Sequence, residues 1–303
     1  MKDLRTLFFL GKGGTGKSTA SALVSLVLKE KNKKVLLASF DDAHNQADIF
    51  ETLFSDKACT MGPCLEVLQV DTNKQIKRYL AKTARNVKAS YAYLTAFNLD
   101  HYFDILKFSP GMEEYALITA FTDLLTRYAD FDYLVIDMPP TALSLRFFNL
   151  PALSLTWIDQ LEKLRIQINK KKEIISRITL AGKKFERDKV LHRIQEIKSD
   201  YLQLKALFED PAKTCFYVVF NQDVLSVAET GRVIDHLDRL DIQIKGLICN
   251  ERIKADVAAP ALKTLFPGVP VQTIPFSDKS LIGMDALEQH IRLHDLTFDK
   301  IIE

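Results

Sequence analysis

Two lysines, a serine and two aspartates stand in this chain at the spacing that phosphoryl transfer to water would need. Gly11-Lys12-Gly13-Gly14-Thr15-Gly16-Lys17-Ser18 meets the full pattern of Gly, four residues, Gly, Lys and Ser or Thr. Gly11, Gly13, Gly14 and Gly16 let successive backbone N–H groups converge on phosphate oxygens, and Thr15 and Thr19 are counted in the same cradle. The N-terminus of the helix that follows adds the positive end of a dipole. Lys17 is expected to reach the terminal phosphates of ATP and Ser18 to ligate Mg²⁺. Asp137, near the end of the apolar run Phe131–Met138, fits the strand-end aspartate that holds the Mg²⁺ shell, through water. Asp41 follows the apolar run Lys34–Phe40 and could orient a water, or else join Asp42 in capping the next helix. Lys12 has two readings: a solvated loop lysine, or, where two loops face each other, a cation reaching the neighbour's nucleotide.

These groups need a scaffold that gathers them, and the chain reads as one. Leu4–Leu10 precedes the glycine-rich loop and Thr19–Leu28 has helical composition after it. Lys34–Phe40 then completes a βαβ unit, its short apolar run suited to a buried parallel strand. Leu65–Val70, Phe131–Met138, Thr214–Phe220, Ile244–Cys249 and Val271–Ile274 read as further strands. Ligands of open α/β sheets bind at the carboxyl ends of such strands. The fold class expected is an α/β P-loop NTPase: a mostly parallel central sheet flanked by helices, with an inserted α-helical subdomain. Asn221 and Asn250 fall at strand ends, and Asn250 either reads the base edge or forms a turn. The chain has no Asn-Lys-x-Asp, the pattern that favours guanine, so ATP is the expected nucleotide.

The helical insertions are expected at 72–130 and 147–212 of a single domain, 1–303, with core sheet from 1–71, 131–146 and 213–303. Ser90–Phe108 is dense in aromatics, which serve either as core or as groove lining. Leu161–Leu180 and Phe185–Phe208 alternate charged and apolar residues as long amphipathic helices do, with a break expected at Gly182. Cys59 and Cys64, spaced Cys-x₄-Cys, are ordinary thiols or half of a metal site completed across a dimer. Cys215 and Cys249 lie inside apparent strands, as small buried thiols commonly do. A formal net charge of +2 over 303 residues gives no case for nucleic acid. No apolar run approaches a membrane span, and Met1-Lys2-Asp3 leads straight into the first strand, which places the expected compartment in the cytoplasm.

Taken together these segments resemble, over almost the full length, the anion-pump and tail-anchored-protein-targeting ATPases, the ArsA class of deviant P-loop ATPases. Lys12 falls on the class's signature lysine, which implies a homodimer in which Lys12 acts in trans. Asp41-Asp42-Ala43-His44-Asn45 is similar to the class's first switch segment, which puts Asp41 on the acid that polarises the attacking water; Asp42 stands where proline is usual. Pro110-Gly111-Met112-Glu113-Glu114 resembles a segment that communicates between the helical region and the nucleotide. Asp137 to Arg146 resembles the second switch, with Ala142 for glycine and Leu143 for histidine, and Thr141 and Ser144 as its hydroxyls. Asn250 matches the base-contacting asparagine.

The resemblance implies Mg²⁺-dependent ATP hydrolysis coupled to dimer closure and to rearrangement of a helical surface that binds a client, a protein or hydrophobic helix. Two alternatives stay open: an ATP-binding switch or assembly protein with little turnover, favoured by the altered second switch, and an arsenite-pump subunit. None of the four cysteines lies in the helical stretches, which argues against the second. Met112 is the sole methionine there, and Cys-x₂-Cys is missing, so a methionine-rich groove clamped by zinc is not copied here.

Overall fold

In a computed structural model the residues described are 4–43, 45–90, 109, 111–179, 188–251 and 266–302. Eight strands form one sheet: β1 (Arg5–Leu10), β2 (Val35–Ser39), β3 (Cys59–Thr60), β4 (Leu65–Gln69), β5 (Tyr133–Asp137), β6 (Thr214–Phe220), β7 (Ile244–Asn250) and β8 (Val271–Ile274). Their order is β3-β4-β2-β5-β1-β6-β7-β8. Every pairing is parallel except the edge pair β3–β4, where Cys59 opposes Val67. That short antiparallel edge has no counterpart in the sequence reading; two residues are too few to carry an alternation pattern.

The central strands are largely apolar because helices cover both faces, and the period-2 alternation sorts their side chains. Phe8 and Leu10 of β1, Leu36 and Ala38 of β2, Leu134 and Ile136 of β5 and Phe216 and Val218 of β6 point into one core. Leu7, Phe9, Leu37, Val135, Tyr217 and Val219 point into the other. The second core is closed by α1 (Lys17–Glu30) and, at its edge, by α2 (Asn45–Phe50).

The first core is closed by the helices of the inserted region. These are α3 (Thr72–Ser90), α4 (Met112–Arg127), α5 (Thr141–Thr179) and α6 (Lys189–Glu209), of which α4, α5 and α6 reach the sheet. The remaining helices are α7 (Val224–Asp238), α8 (Met284–Leu293) and α9 (Asp299–Ile302). Phe121 of α4, Phe147 and Phe148 of α5 and Phe208 of α6 surround Phe8 and Phe216 of the sheet, with ring centroids 4.9 to 6.5 Å apart. Six rings at tilted, stacked and edge-on angles anchor three helices to two central strands.

α5 starts at Thr141 and runs unbroken past the boundary at 146/147, so the second inserted stretch grows from a helix whose first turn belongs to the sheet's carboxyl end. It carries Pro151, which cannot donate to the carbonyl four residues back and so weakens the helix one turn beyond the phenylalanine pair. The aromatic stretch 91–108 and the break expected at Gly182 lie outside the described residues. No described helix is long and apolar enough to cross a membrane.

Candidate active site

The sheet order decides which carboxyl ends are neighbours. β5 lies between β1 and β2, with Phe9 and Ser39 both in register with Asp137. The loop after β1, Asp137 at the end of β5, and Asp41 two residues past β2 are therefore brought together from three separate parts of the sequence. Backbone bonds from Phe40 N to Asp137 O (2.8 Å) and from Met138 N to Phe9 O (3.2 Å) lock the ends in place.

The loop itself is set by two glycines. Gly11 has φ +142°, and a Cβ there would sit 2.1 Å from the Val219 carbonyl oxygen; Gly16 has φ +92°, and a Cβ would sit 2.2 Å from Asn250 Nδ2. Both positions exclude side chains by space as well as by backbone angle. Thr15 Oγ1 and Lys17 Nζ donate to the Lys12 carbonyl at 2.9 and 3.3 Å, so the loop is pinned from within. Asn250 Nδ2 donates to Thr15 O at 3.0 Å, joining β7 to the loop across 235 residues of sequence. The Asn250 amide braces the phosphate loop from the wall of the cavity.

A cavity of about 750 Å³ opens at this end of the sheet. Gly13, Gly14, Gly16, Lys17, Ser18, Thr19, Asp41 and Asn250 line it, together with Pro275, Phe276, Lys279 and Ile282 from the chain after β8. Gly11 and Thr15 are buried behind the loop and Asp137 lies beneath it, so these three shape the cavity without lining it. Lys12 is half-buried and outside the lining.

Asp137 is fully buried. Burial raises its pKa to about 6; the Ser18 hydroxyl, the Gln46 amide and the Lys17 ammonium oppose that rise, and Asp41 adds to it. Burial lowers the pKa of Lys17, against the pull of Asp137, Asp41 and Glu229. Among the described residues Asp137 Oδ1 accepts no hydrogen bond within 3.5 Å, although the Ser18 hydroxyl stands close enough to favour its ionised form. An unsatisfied carboxylate oxygen near a serine hydroxyl fits a hydrated Mg²⁺, a hard cation that takes oxygen donors and retains waters. Asp41 is buried, and its carboxylate accepts from Ala43 N at 3.1 Å, closing a turn before α2 rather than capping the helix. Its neighbour Asp42 accepts from Thr72 Oγ1 at 2.8 Å, tying this loop to the first residue of α3.

The second-switch hydroxyls are both engaged. Thr141 Oγ1 donates to Glu229 Oε1 at 2.7 Å and Ser144 Oγ to Pro139 O at 2.6 Å. Arg146 Nε meets Glu114 Oε1 at 2.5 Å, so the two segments singled out around Gly111 and Asp137 are joined by an ion pair. Gln46 and Glu229 escape sequence reasoning: neither belongs to a spaced motif, although Gln46 directly follows the Asp41–Asn45 segment. Asn221 is buried outside the cavity lining. His44 and Pro110 lie outside the described residues. Cys59 is half-buried on the edge strand and Cys64 exposed, and no cluster of three metal-ligating side chains forms among the described residues.

Comparison with known proteins agrees with this architecture. The sequence profile of a family described as anion-transporting ATPase matches residues 4–266. A putative arsenical pump-driving ATPase 2 of Aquifex aeolicus is 27% identical, covering 94% of this chain and 97% of its own length. A second Aquifex aeolicus protein, putative arsenical pump-driving ATPase 1, is 24% identical over 96% of this chain and 78% of its own. An ATPase ASNA1 homolog of Cryptosporidium parvum is 28% identical over 83% of this chain and 66% of its own. With the profile running from the first strand to beyond β7, and the glycine loop and its two strand-end acids in place, the chain belongs to the anion-transporting ATPase family of P-loop ATPases.

Proposed function

We propose that this chain is an Mg²⁺-dependent ATPase whose site is completed between two copies of itself and whose turnover rearranges a helical surface that receives a client. The observation that carries the reading is the convergence of the loop after β1, Asp41 and Asp137 at three adjacent strand ends. The loop N–H groups and Lys17 bind the terminal phosphates, with Thr15 holding the loop's shape and Thr19 extending it into α1. Ser18 directly, and Asp137 through water, would hold Mg²⁺, which when bound would supply positive charge against the phosphates. Asp41 orients a water; its oxygen bonds to the γ-phosphorus as the bond to the bridging oxygen breaks, ADP leaves, one of the water's protons stays on the released hydrogen phosphate and the other passes through Asp41 to solvent. Lys12 of the opposing copy adds positive charge where the transferred group is most negative, an electrostatic contribution made in place before reaction.

The dimer reading is supported by position. Val224 and Leu225 follow the carboxyl end of β6 and are 83% and 68% exposed, leaving apolar side chains uncovered on the face that carries Lys12. The client reading is supported by α5. Leu153, Trp157, Leu161 and Leu164 recur at helical spacing and all stand exposed, on the same continuous helix whose first turn holds Thr141 and Arg146. A change at the phosphates thus reaches the apolar stripe without crossing a loop. By this reading the domain is single, with 72–130 and 147–212 as its helical additions.

ATP hydrolysis by Lys12→Ala, Lys17→Ala and Asp41→Asn tests the chemistry; wild-type rates in all three would overturn it. Mixing Lys12→Ala with Asp41→Asn tests the dimer. A shared site regenerates one intact centre in each mixed pair, about one quarter of wild-type activity for random pairing, whereas a self-contained site regenerates none. Trp157 is the sole tryptophan, so its fluorescence reports directly on binding of an apolar helical peptide.

A second reading, a nucleotide switch with little turnover, is favoured by one observation: Ser144 is committed to Pro139 O and Thr141 to Glu229, so both hydroxyls of the altered second switch are engaged within the protein. Tight ATP binding without phosphate release, with or without an apolar peptide, would select it.

A further inference from the structure

Gln46 is fully buried in the first turn of α2, and its amide reaches three partners. Nε2 lies 3.0 Å from Asp137 Oδ2, 3.1 Å from Ser18 O and 3.0 Å from Ser21 Oγ. A carbonyl and a carboxylate can only accept from it, so the amide nitrogen, not the oxygen, faces this side. The Ser21 hydroxyl donates in turn to Ser18 O at 2.9 Å, and Ser25 Oγ to Ser21 O at 2.7 Å, which fixes the α1 side of the contact. Two oxygens are left over: among the described residues neither Gln46 Oε1 nor Asp137 Oδ1 accepts a hydrogen bond. With Asp137 Oδ2 held by the Gln46 amide, Oδ1 is the oxygen left beside the Ser18 hydroxyl, on the side of the phosphate loop.

We infer that Gln46 is the positioning residue of the Mg²⁺ site: its amide holds Asp137 by one carboxylate oxygen against α1 and so leaves the other carboxylate oxygen to accept from the cation's water shell. The inference rests on the assignment of Ser18 and Asp137 to Mg²⁺ above. It adds a link between the two acids of the site. Gln46 follows Asp41 by five residues, so a shift of that loop moves the anchor of Asp137 as well. Water orientation by Asp41 and metal organisation by Asp137 are then not independent.

The test is a Mg²⁺ titration of the full chain in the presence of a fluorescent, non-hydrolysable ATP analogue, comparing wild type with Gln46→Leu, Gln46→Met and Ser21→Ala. Loss of a group supporting a metal's ligands typically costs 10- to 100-fold in metal affinity. The half-saturating Mg²⁺ concentration is therefore expected to rise at least tenfold in both Gln46 variants and to stay put in Ser21→Ala. Analogue binding in EDTA stays at the wild-type level in all four proteins. Two apolar replacements of different shape guard against one that folds poorly, and far-ultraviolet circular dichroism in EDTA identifies it. An unchanged Mg²⁺ midpoint, or equal weakening with and without Mg²⁺, would give Gln46 a purely structural role and overturn the inference. Wild-type binding indifferent to Mg²⁺ would instead overturn the metal assignment itself, a separate result visible before any variant is compared.

Discussion

Replacing Asp137 by asparagine should stabilise the nucleotide-free protein while removing its response to Mg²⁺. The side chain is fully buried, and burial lifts its pKa from an ordinary 3.8 to about 6. A carboxyl whose folded pKa lies above its unfolded value favours folding only while protonated. The penalty is absent below the unfolded value, grows as pH rises from 3.8 towards 6, and is complete above that window. A shift of this size corresponds to about 3 kcal/mol at pH 7, to roughly half of that at pH 5 and to a small fraction of it at pH 4. Asparagine keeps the shape, accepts from the Gln46 amide with its oxygen, and never ionises. Part of the gain is lost because a hydrogen bond to a neutral acceptor is weaker than one to a carboxylate. A net gain of about 1–2 kcal/mol at pH 7 corresponds to a rise in Tm of roughly 2–3 °C for a chain of this size. The assay is thermal unfolding of wild type and Asp137→Asn in EDTA without nucleotide, at pH 7, 5 and 4. The expected signature is a gap that closes on acidification, together with loss of Mg²⁺-dependent nucleotide binding. A variant less stable than wild type at pH 7, or a gap that ignores pH, would show that hydrogen bonding to the carboxylate outweighs its desolvation and refute the reasoning. The cost is of the kind that sites accept when stability is exchanged for function.

Other expectations follow from single contacts. Gly16→Ala should abolish nucleotide binding, because its Cβ would meet Asn250 Nδ2 at 2.2 Å; Gly16→Ala with Asn250→Ala removes the collision but keeps the strain of φ +92°, and equilibrium dialysis with ATP should show only partial recovery. Phe208→Ala empties the centre of the six-ring cluster and should cost about 3–5 kcal/mol in urea unfolding. Arg146→Ala leaves the buried Glu114 carboxylate without its cation; because Arg146 is 62% exposed, the loss should be only about 1–2 kcal/mol, and Glu114→Gln in the same chain should recover most of it. Thr72→Val should leave Lys17-dependent ATP binding intact but weaken the nucleotide-induced change in hydrogen exchange along α3, since it cuts the contact from Asp42.

The sequence alone determined what is local. Glycine spacing in Gly11–Ser18 dictates a phosphate loop because backbone N–H groups can converge only where side chains are absent, and an apolar run of five to seven residues specifies a buried parallel strand. β1, β2, β4, β5, β6, β7 and β8 were legible for that reason, as were the acids Asp41 and Asp137. Departures such as Asp42, Ala142 and Leu143 were visible too, but not their contacts. Tertiary structure decided what depends on neighbours distant in the chain. The order β2-β5-β1 sets Asp137 between Asp41 and the loop, a placement no periodicity encodes. Gln46 and Glu229 gained their places only when α2 and α7 packed against the strand ends. Asn250 lines the cavity as its strand-end position suggested, but its bond to Thr15 O could not be read from the sequence. Lys17 and Asp137 could be named from spacing; that they lie buried with opposed and shifted proton affinities is a property of the closed core, where desolvation rather than residue type sets the charge.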